Sequence, residues 1–272
     1  MININGNDYK LGLVDTNIVS EMVKNPSHEF NKFIELTLQN KIIPSFSIFT
    51  ILELRQKRNV YEQFLEFFSI IPCIIVKSHE QLLANEFEAY PDPSGINPVL
   101  VASAGVADSE NNTFKVLLDS VFKTPENIEN EASWNAGKDN VIAGILDLRE
   151  NFPPDNGKYS PKQIRAFIEM AGFEQIARRS PAFARNLLDK NEAVSIDAFP
   201  SLKMILFTVF YKFYVDNRKP STSDTFDIII SAPTPYMDAV FTENHQAEVI
   251  KKTKRRDPFL NHLEVFRLQD LR

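Results

Sequence analysis

The sequence predicts an α/β fold with a central parallel sheet. Apolar runs of strand length at 11–15, 42–46 and 70–76 are separated by stretches in which apolar residues recur every three or four positions. The same alternation returns near the C-terminus, where strands are expected at 239–242 and near 264–268. Strands that alternate with amphipathic helices are typical of parallel sheets. With 272 residues, of which 43% are hydrophobic, the chain can bury a core without disulfides or a structural metal.

The first elements follow from local patterns. Asp15 ends the first strand, and the periodic apolar residues after Thr16-Asn17 predict a helix. A second helix is predicted where apolar residues fall at i, i+3, i+4 and i+8, namely Phe30, Phe33, Ile34 and Leu38.

The second strand, 42–46, should lead directly into another helix. Ser45 or Ser47 is the expected N-cap, and Glu53 lies within that helix. A further helix at 61–68 precedes the strand at 70–76.

The middle of the chain has a different character. Strand signals stop, and several helical patterns separated by prolines predict an all-helical insertion at 77–199. The α/β core would then be discontinuous, formed by 10–76 and 200–270. Within the second segment, a long helix is expected at 201–215, and the α/β pattern returns after it.

Composition excludes several classes of protein. The single cysteine, Cys73, cannot form an internal disulfide, and no Cys/His cluster has zinc-ligand spacing. The longest apolar stretch, 204–215, is too short to span a bilayer and contains Lys212. The first ten residues lack the features of a signal peptide, so we expect a cytoplasmic protein without a membrane partner.

Acidic residues follow the strands at the carboxyl ends, where ligands bind in parallel α/β sheets. Asp15 ends the first strand, Glu53 lies in the helix after the second, and Asp224 and Asp227 share one face of a later helix. Converging carboxylates repel one another unless a cation neutralises them. Oxygen ligands favour Mg²⁺ or Mn²⁺, which predicts hydrolysis of a phosphodiester bond.

These segments resemble the PIN-domain nucleases. Leu13-Val-Asp-Thr-Asn-Ile18 is similar to their opening strand motif, and the spacing Ser47-x-x-Thr-x-x-Glu-Leu is similar to the segment with their second acid. Asp227, followed by Val240-Phe-Thr-Glu-Asn244, resembles their third acid and the strand end that contains threonine. The fold implied is a PIN-like three-layer α/β/α arrangement with a central parallel sheet. The resemblance covers roughly 10–76 and 200–270.

The resemblance implies roles for these residues. Asp15, Asp227 and Glu53 would hold Mg²⁺ or Mn²⁺, and Glu53 would also orient the attacking water. Asp224 is a further acidic candidate at the site. The residues expected to set the geometry are Asn17, Thr242 and Asn244.

The resemblance also implies an endoribonuclease, because the family acts mostly on RNA. It includes toxins that a protein inhibitor or antitoxin holds inactive, and the sequence leaves open both such a partner and a homodimer. Two alternatives also stay open: a catalytically inactive PIN-like module that binds RNA or protein, and a flap-type DNA nuclease.

Two features bear on these alternatives. Asn244 stands where many members of the family have a fourth acid, with Glu243 and Asp224 nearby, so the number of metal ions stays open. Asp238 begins the strand that Thr242 ends, which places it near the opposite edge of the sheet in a structural role. A basic run after this strand could be a solvated face or could contact nucleic-acid phosphates; it comprises Lys251, Lys252, Lys254, Arg255 and Arg256.

Overall fold

The sheet has seven strands among residues 1–4, 6–105, 113–155, 158–190 and 192–271, which the computed structural model describes. The strands are β1 (Ile2–Ile4), β2 (Asn7–Val14), β3 (Ile42–Ser47), β4 (Cys73–Val76), β5 (Val99–Ser103), β6 (Ala239–Thr242) and β7 (Glu264–Arg267). Their order is β5-β4-β3-β2-β6-β7, and β1 pairs with β2. The strands β2, β3, β4, β6 and β7 pair in parallel, as the sequence predicts.

Twelve α-helices occur in the same described ranges. They are α1 (Thr16–Lys24), α2 (Asn31–Gln39), α3 (Ile48–Arg55), α4 (Arg58–Ser69), α5 (His79–Ala89), α6 (Thr113–Phe122), α7 (Pro125–Asn151), α8 (Pro161–Arg179), α9 (Pro181–Asp189), α10 (Pro200–Phe210), α11 (Thr222–Ile230) and α12 (Asn244–Lys254). Within the described chain, none of them is long and apolar enough to cross a membrane.

Alternate strand residues pack into two different hydrophobic clusters, one on each face of the sheet. Val14 of β2 belongs to a cluster with residues of α1, α3 and α4. Its neighbour Leu13 belongs to a second cluster, which includes Met204 of α10 and Ile250 of α12. Helices therefore cover both faces of a mostly parallel sheet, an arrangement compatible with a three-layer α/β/α fold.

Side chains from both strands that flank β2 cover the backbone at Gly12. A Cβ atom at this position would lie 2.4 Å from the Ile42 side chain and 3.1 Å from the Phe241 ring. Glycine is therefore required here because β2 packs tightly against its neighbours just before the strand ends at the site.

The prediction that 77–199 is all-helical is wrong. β5 (Val99–Ser103) lies in this segment and pairs antiparallel with β4 at the edge of the sheet. Four of its five residues are half-buried, so the strand has no clear alternation of buried and exposed positions. Its sequence, Val-Leu-Val-Ala-Ser, is a short continuous apolar run, which hydrophobic periodicity alone cannot distinguish from part of a helix.

The helices of 77–199 share the hydrophobic core of the sheet domain. Phe167 of α8 packs against Phe210 and Tyr214, with ring centroids 5.0 and 4.8 Å apart. Glu86 of α5 accepts a hydrogen bond from the Ser201 N–H at 2.7 Å. The segment therefore packs directly on α10.

The long helix expected at 201–215 is present in two parts. α10 passes into a π-helical turn at Tyr211–Val215, which places Lys212 in the interior with no exposed surface. A fully buried lysine requires anionic partners, because an isolated ammonium group is costly to remove from water.

Candidate functional site

Asp15 is positioned by the pairing of the two central strands. Val14 lies opposite Phe241, so Asp15 extends just beyond β2 beside the last residue of β6. Its N–H donates a hydrogen bond to the Phe241 carbonyl at 3.0 Å. The Thr242 hydroxyl donates a hydrogen bond to the Asp15 carboxylate at 2.8 Å. Asp15 occupies the N-cap position of α1, but its side chain makes no capping hydrogen bond. Its carboxylate is therefore available to the site.

A small cleft opens at this carboxyl end of the sheet. Its cavity volume is about 20 Å³, which is room for one water molecule or a single ion. The polar side chains that line it are those of Asp15, Asp227, Ser231, Thr234, Thr242 and Gln246. The fold therefore brings two of the predicted acids, Asp15 and Asp227, to one cleft from segments more than 200 residues apart.

The surroundings of Asp15 raise the pKa of its carboxyl group from 3.8 to about 7. Burial is the largest cause, because it disfavours the ionised form, and the Thr242 hydrogen bond opposes it in part. Repulsion from Asp227, Glu243 and Glu53 raises the pKa further. A bound cation would offset both the cost of burying the ionised carboxylate and the repulsion from the other carboxylates.

Lys212 neutralises the second carboxylate of the cleft. Its Nζ lies 2.5 Å from Asp227 Oδ2 and 3.5 Å from Asp224 Oδ1. Both aspartates lie on the face of α11 that points toward Lys212, as their spacing of three residues predicts. Asp227 therefore contacts the buried ammonium group and also lines the cleft.

Asp224 does not line the cleft. Its Oδ2 accepts hydrogen bonds from the Ser221 N–H at 3.0 Å and the Ser221 hydroxyl at 2.6 Å, which completes a capping box at the start of α11. Burial favours a higher pKa for Asp224, but the Ser221 hydrogen bonds and the charges of Lys212 and Arg218 outweigh it and lower the pKa. Asp224 therefore has two structural roles: it caps α11 through Ser221, and it is an ion-pair partner of Lys212.

Glu53 approaches the site from α3. Ser47 caps this helix by accepting a hydrogen bond from the Phe49 N–H at 3.2 Å, which fixes where the helix begins. Glu53 is half-buried and close enough to Asp15 to raise its pKa by repulsion. It does not line the cleft itself.

The remaining predicted site residues lie at the rim. Exposed Asn17 donates a hydrogen bond to Glu243 at 3.2 Å, so it orients this glutamate. Asn244 is exposed at the first residue of α12 and does not line the cleft. Asp238 accepts a hydrogen bond from the Leu11 N–H at 2.9 Å, near the start of β6, in agreement with its predicted structural role.

Sequence reasoning missed Gln246. This residue of α12 is 7% exposed and lines the cleft, and neither atom of its amide has a hydrogen-bond partner in the described part of the chain. Unpaired buried amides are costly, so this group is suited to a ligand. Its position in the first turn of α12, four residues after Thr242, is the only sequence signal that could have indicated it.

The cleft contains oxygen donors that could hold one hard divalent cation. Among the described residues, no three His, Cys, Asp or Glu side chains come close enough together to hold a metal ion by themselves. Mg²⁺ usually keeps several waters and takes only one or two protein carboxylates. Asp15 and Asp227 supply two carboxylates, and the Gln246 amide supplies a free carbonyl oxygen.

The basic run lies at the C-terminal end of α12, about 15 Å along the helix axis from the first residue of the helix, Asn244. Lys252 pairs with Asp216 at 2.9 Å, and Lys254 donates to the Leu263 carbonyl at 2.6 Å. Arg255 and Arg256 are exposed. Together with Lys252 they line a groove of about 330 Å³ whose other wall includes Tyr159, from the segment 77–199. Lys251 borders a neighbouring groove.

Comparison of the chain with protein-family models, with curated proteins and with solved structures finds no match.

Proposed function

We propose that this protein is a divalent-metal-dependent nuclease with a PIN-like fold, and that it cleaves RNA more readily than DNA. One observation carries the proposal. Asp15 and Asp227 line one small cleft together with the unpaired Gln246 amide. The cleft lies at the carboxyl ends of the parallel strands, where ligands bind in such sheets. The preference for RNA rests on the resemblance of the sequence motifs to PIN-domain nucleases.

The side chains of the cleft have distinct parts in this mechanism. Asp15 and Asp227 would hold Mg²⁺ or Mn²⁺, with the Gln246 amide oxygen as a third donor. When bound, such an ion activates water and neutralises the charge that develops on the phosphate. Thr242 would hold one oxygen of Asp15 by its hydrogen bond, and the other oxygen would be a ligand of the ion.

The surrounding residues would act on water and substrate. Glu53, close to Asp15, would accept a proton from the attacking water as it approaches the phosphorus. Arg255 and Arg256 would contact substrate phosphates away from the reaction, and this would make binding weaken as the salt concentration rises. The groove they line with Tyr159 gives the segment 77–199 a part in binding the substrate.

The experiment is a cleavage assay on single-stranded RNA and on DNA of the same sequence. Protein freed of metal with EDTA is supplied with Mg²⁺ or Mn²⁺ and compared with Asp15→Asn. The matched control is Asp238→Asn, the same change at the other end of the central strands.

We expect metal-dependent cleavage by the wild type and by Asp238→Asn, and none by Asp15→Asn. Activity that is unchanged in Asp15→Asn would refute the mechanism. Binding of RNA without any cleavage would instead favour the inactive PIN-like module, and preferential cleavage of DNA flaps would favour the DNA nuclease.

A further inference from the structure

Lys212 is a buried basic group beside the acidic cluster, which consists of Asp15, Asp224 and Asp227. It has no exposed surface, and its ammonium group contacts the carboxylates of Asp227 and Asp224. Asp227 lies between this ammonium group and the cleft. The ammonium group of Lys212 therefore lies on one side of Asp227, and the oxygen donors of the cleft lie on the other.

The charges around Lys212 are distributed unevenly. Asp224 has Arg218 as a second cationic partner at 3.4 Å and two hydrogen bonds from Ser221. For Asp227, Lys212 is the single ion-pair partner within the described ranges. Without Lys212, the two aspartates would face each other across a buried space large enough for an ammonium group, with only Arg218 to balance them.

We propose that Lys212 is a resident cation that takes the place of a second metal ion. It fills the side of the cluster between Asp227 and Asp224, orients the Asp227 carboxylate toward the cleft, and limits the protein to one divalent ion. The inference deepens the proposed function, since it assumes that the cleft with Asp15, Asp227 and the unpaired Gln246 amide binds such an ion. Lys212 is a positioning residue in this account, because it acts through Asp227.

The test is the stoichiometry of Mn²⁺ binding, measured by calorimetry and by the electron paramagnetic resonance signal of free Mn²⁺. Lys212→Met keeps the length of the side chain and removes its charge. The chain offers a matched control in Lys203→Met, because Lys203 is also buried on the same helical stretch and pairs with two aspartates, Asp197 and Asp257.

We expect one Mn²⁺ in the wild type and in Lys203→Met, and two in Lys212→Met. In Lys212→Met, Mn²⁺ should also raise the melting temperature more than in Lys203→Met, because the ion replaces the lost charge. If Lys212→Met folds only when Mn²⁺ is present, the same conclusion holds. Equal stoichiometry and equal affinity in Lys212→Met and the wild type would overturn the proposal.

A second variant covers the case in which Lys212→Met does not fold at all. Lys212→Met combined with Asp224→Asn removes one charge of each sign, so this variant needs no second cation, and it should bind a single Mn²⁺. Two bound Mn²⁺ in this double variant would contradict a resident cation. Failure of the proposed function is distinguishable: a wild type without bound Mn²⁺ and without cleavage refutes the nuclease, whereas a Mn²⁺ site gained in Lys212→Met still supports the role of Lys212.

Discussion

Replacing Asp15 with asparagine should stabilise the protein, and the gain should depend on pH. The carboxyl group of Asp15 has a pKa of about 7 in the folded chain, whereas its ordinary value is 3.8. Between these two pH values the unfolded chain loses the proton and the folded chain keeps it, so the folded state becomes less stable as the pH rises. The contribution of Asp15 is fully favourable below about pH 4 and is lost as the pH passes 7.

The size of the effect follows from the same two pKa values. A rise from 3.8 to about 7 corresponds to about 4 kcal/mol in the free energy of unfolding. Asparagine has nearly the same shape and stays uncharged, so Asp15→Asn avoids this loss. We expect the variant to match the wild type near pH 4 and to be more stable by about 2–4 kcal/mol at pH 8.

The assay is urea denaturation of both proteins at pH 4 and pH 8 with EDTA, followed by circular dichroism. Addition of Mn²⁺ at pH 8 should stabilise the wild type and have much less effect on Asp15→Asn. A difference in stability that is the same at both pH values would refute the account of Asp15, as would a wild type more stable than the variant at pH 8.

Three further predictions concern other parts of the molecule. Gln246→Met should raise the free energy of unfolding by about 1 kcal/mol, because it removes two unpaired buried amide atoms. The same change should weaken Mn²⁺ binding several-fold in calorimetry, and unchanged affinity would exclude Gln246 from the site. Fluorescence anisotropy gives the affinity for single-stranded RNA as a function of salt concentration. Arg255→Ala and Arg256→Ala should each reduce the slope of log affinity against log salt concentration by about one. The control is Lys190→Ala, at an exposed lysine away from the groove, and it should leave the slope unchanged. Ser47→Ala should cost about 1 kcal/mol in urea denaturation through loss of the α3 N-cap, and a variant as stable as the wild type would show that this cap is dispensable.

The sequence predicted the part of the site that depends on strand ends. Thr242 ends β6 and Asp15 directly follows β2, so the parallel pairing of the two central strands brings them into contact. Asp227 was predicted through its motif and lines the same cleft. Backbone pairing sets where Asp15 and Thr242 lie, whereas Asp227, on helix α11, was indicated only by the resemblance of its motif.

Lys212 and Gln246 could not be assigned in this way, because their roles depend on side-chain contacts between distant elements. Lys212 was visible only as a charge within an apolar helical stretch, a feature that calls for buried anions without indicating which ones. The acidic pair that it contacts lies on a different helix. Gln246 has no pattern of its own, since an amide is equally common on a solvent-exposed helix face.

The same reasoning explains the error in the segment 77–199. β5 joins the sheet through backbone hydrogen bonds to β4 at an edge, and its four consecutive apolar residues give no period-two signal.

The central claim is that the cleft at the carboxyl ends of β2 and β6 is a cation site. Anomalous diffraction from crystals soaked in Mn²⁺ tests it most directly. We expect one anomalous peak in the cleft, about 2 Å from carboxylate oxygens of both Asp15 and Asp227, and no second peak between Asp227 and Asp224, where Lys212 lies. An empty cleft in crystals whose other sites contain Mn²⁺ would contradict the claim.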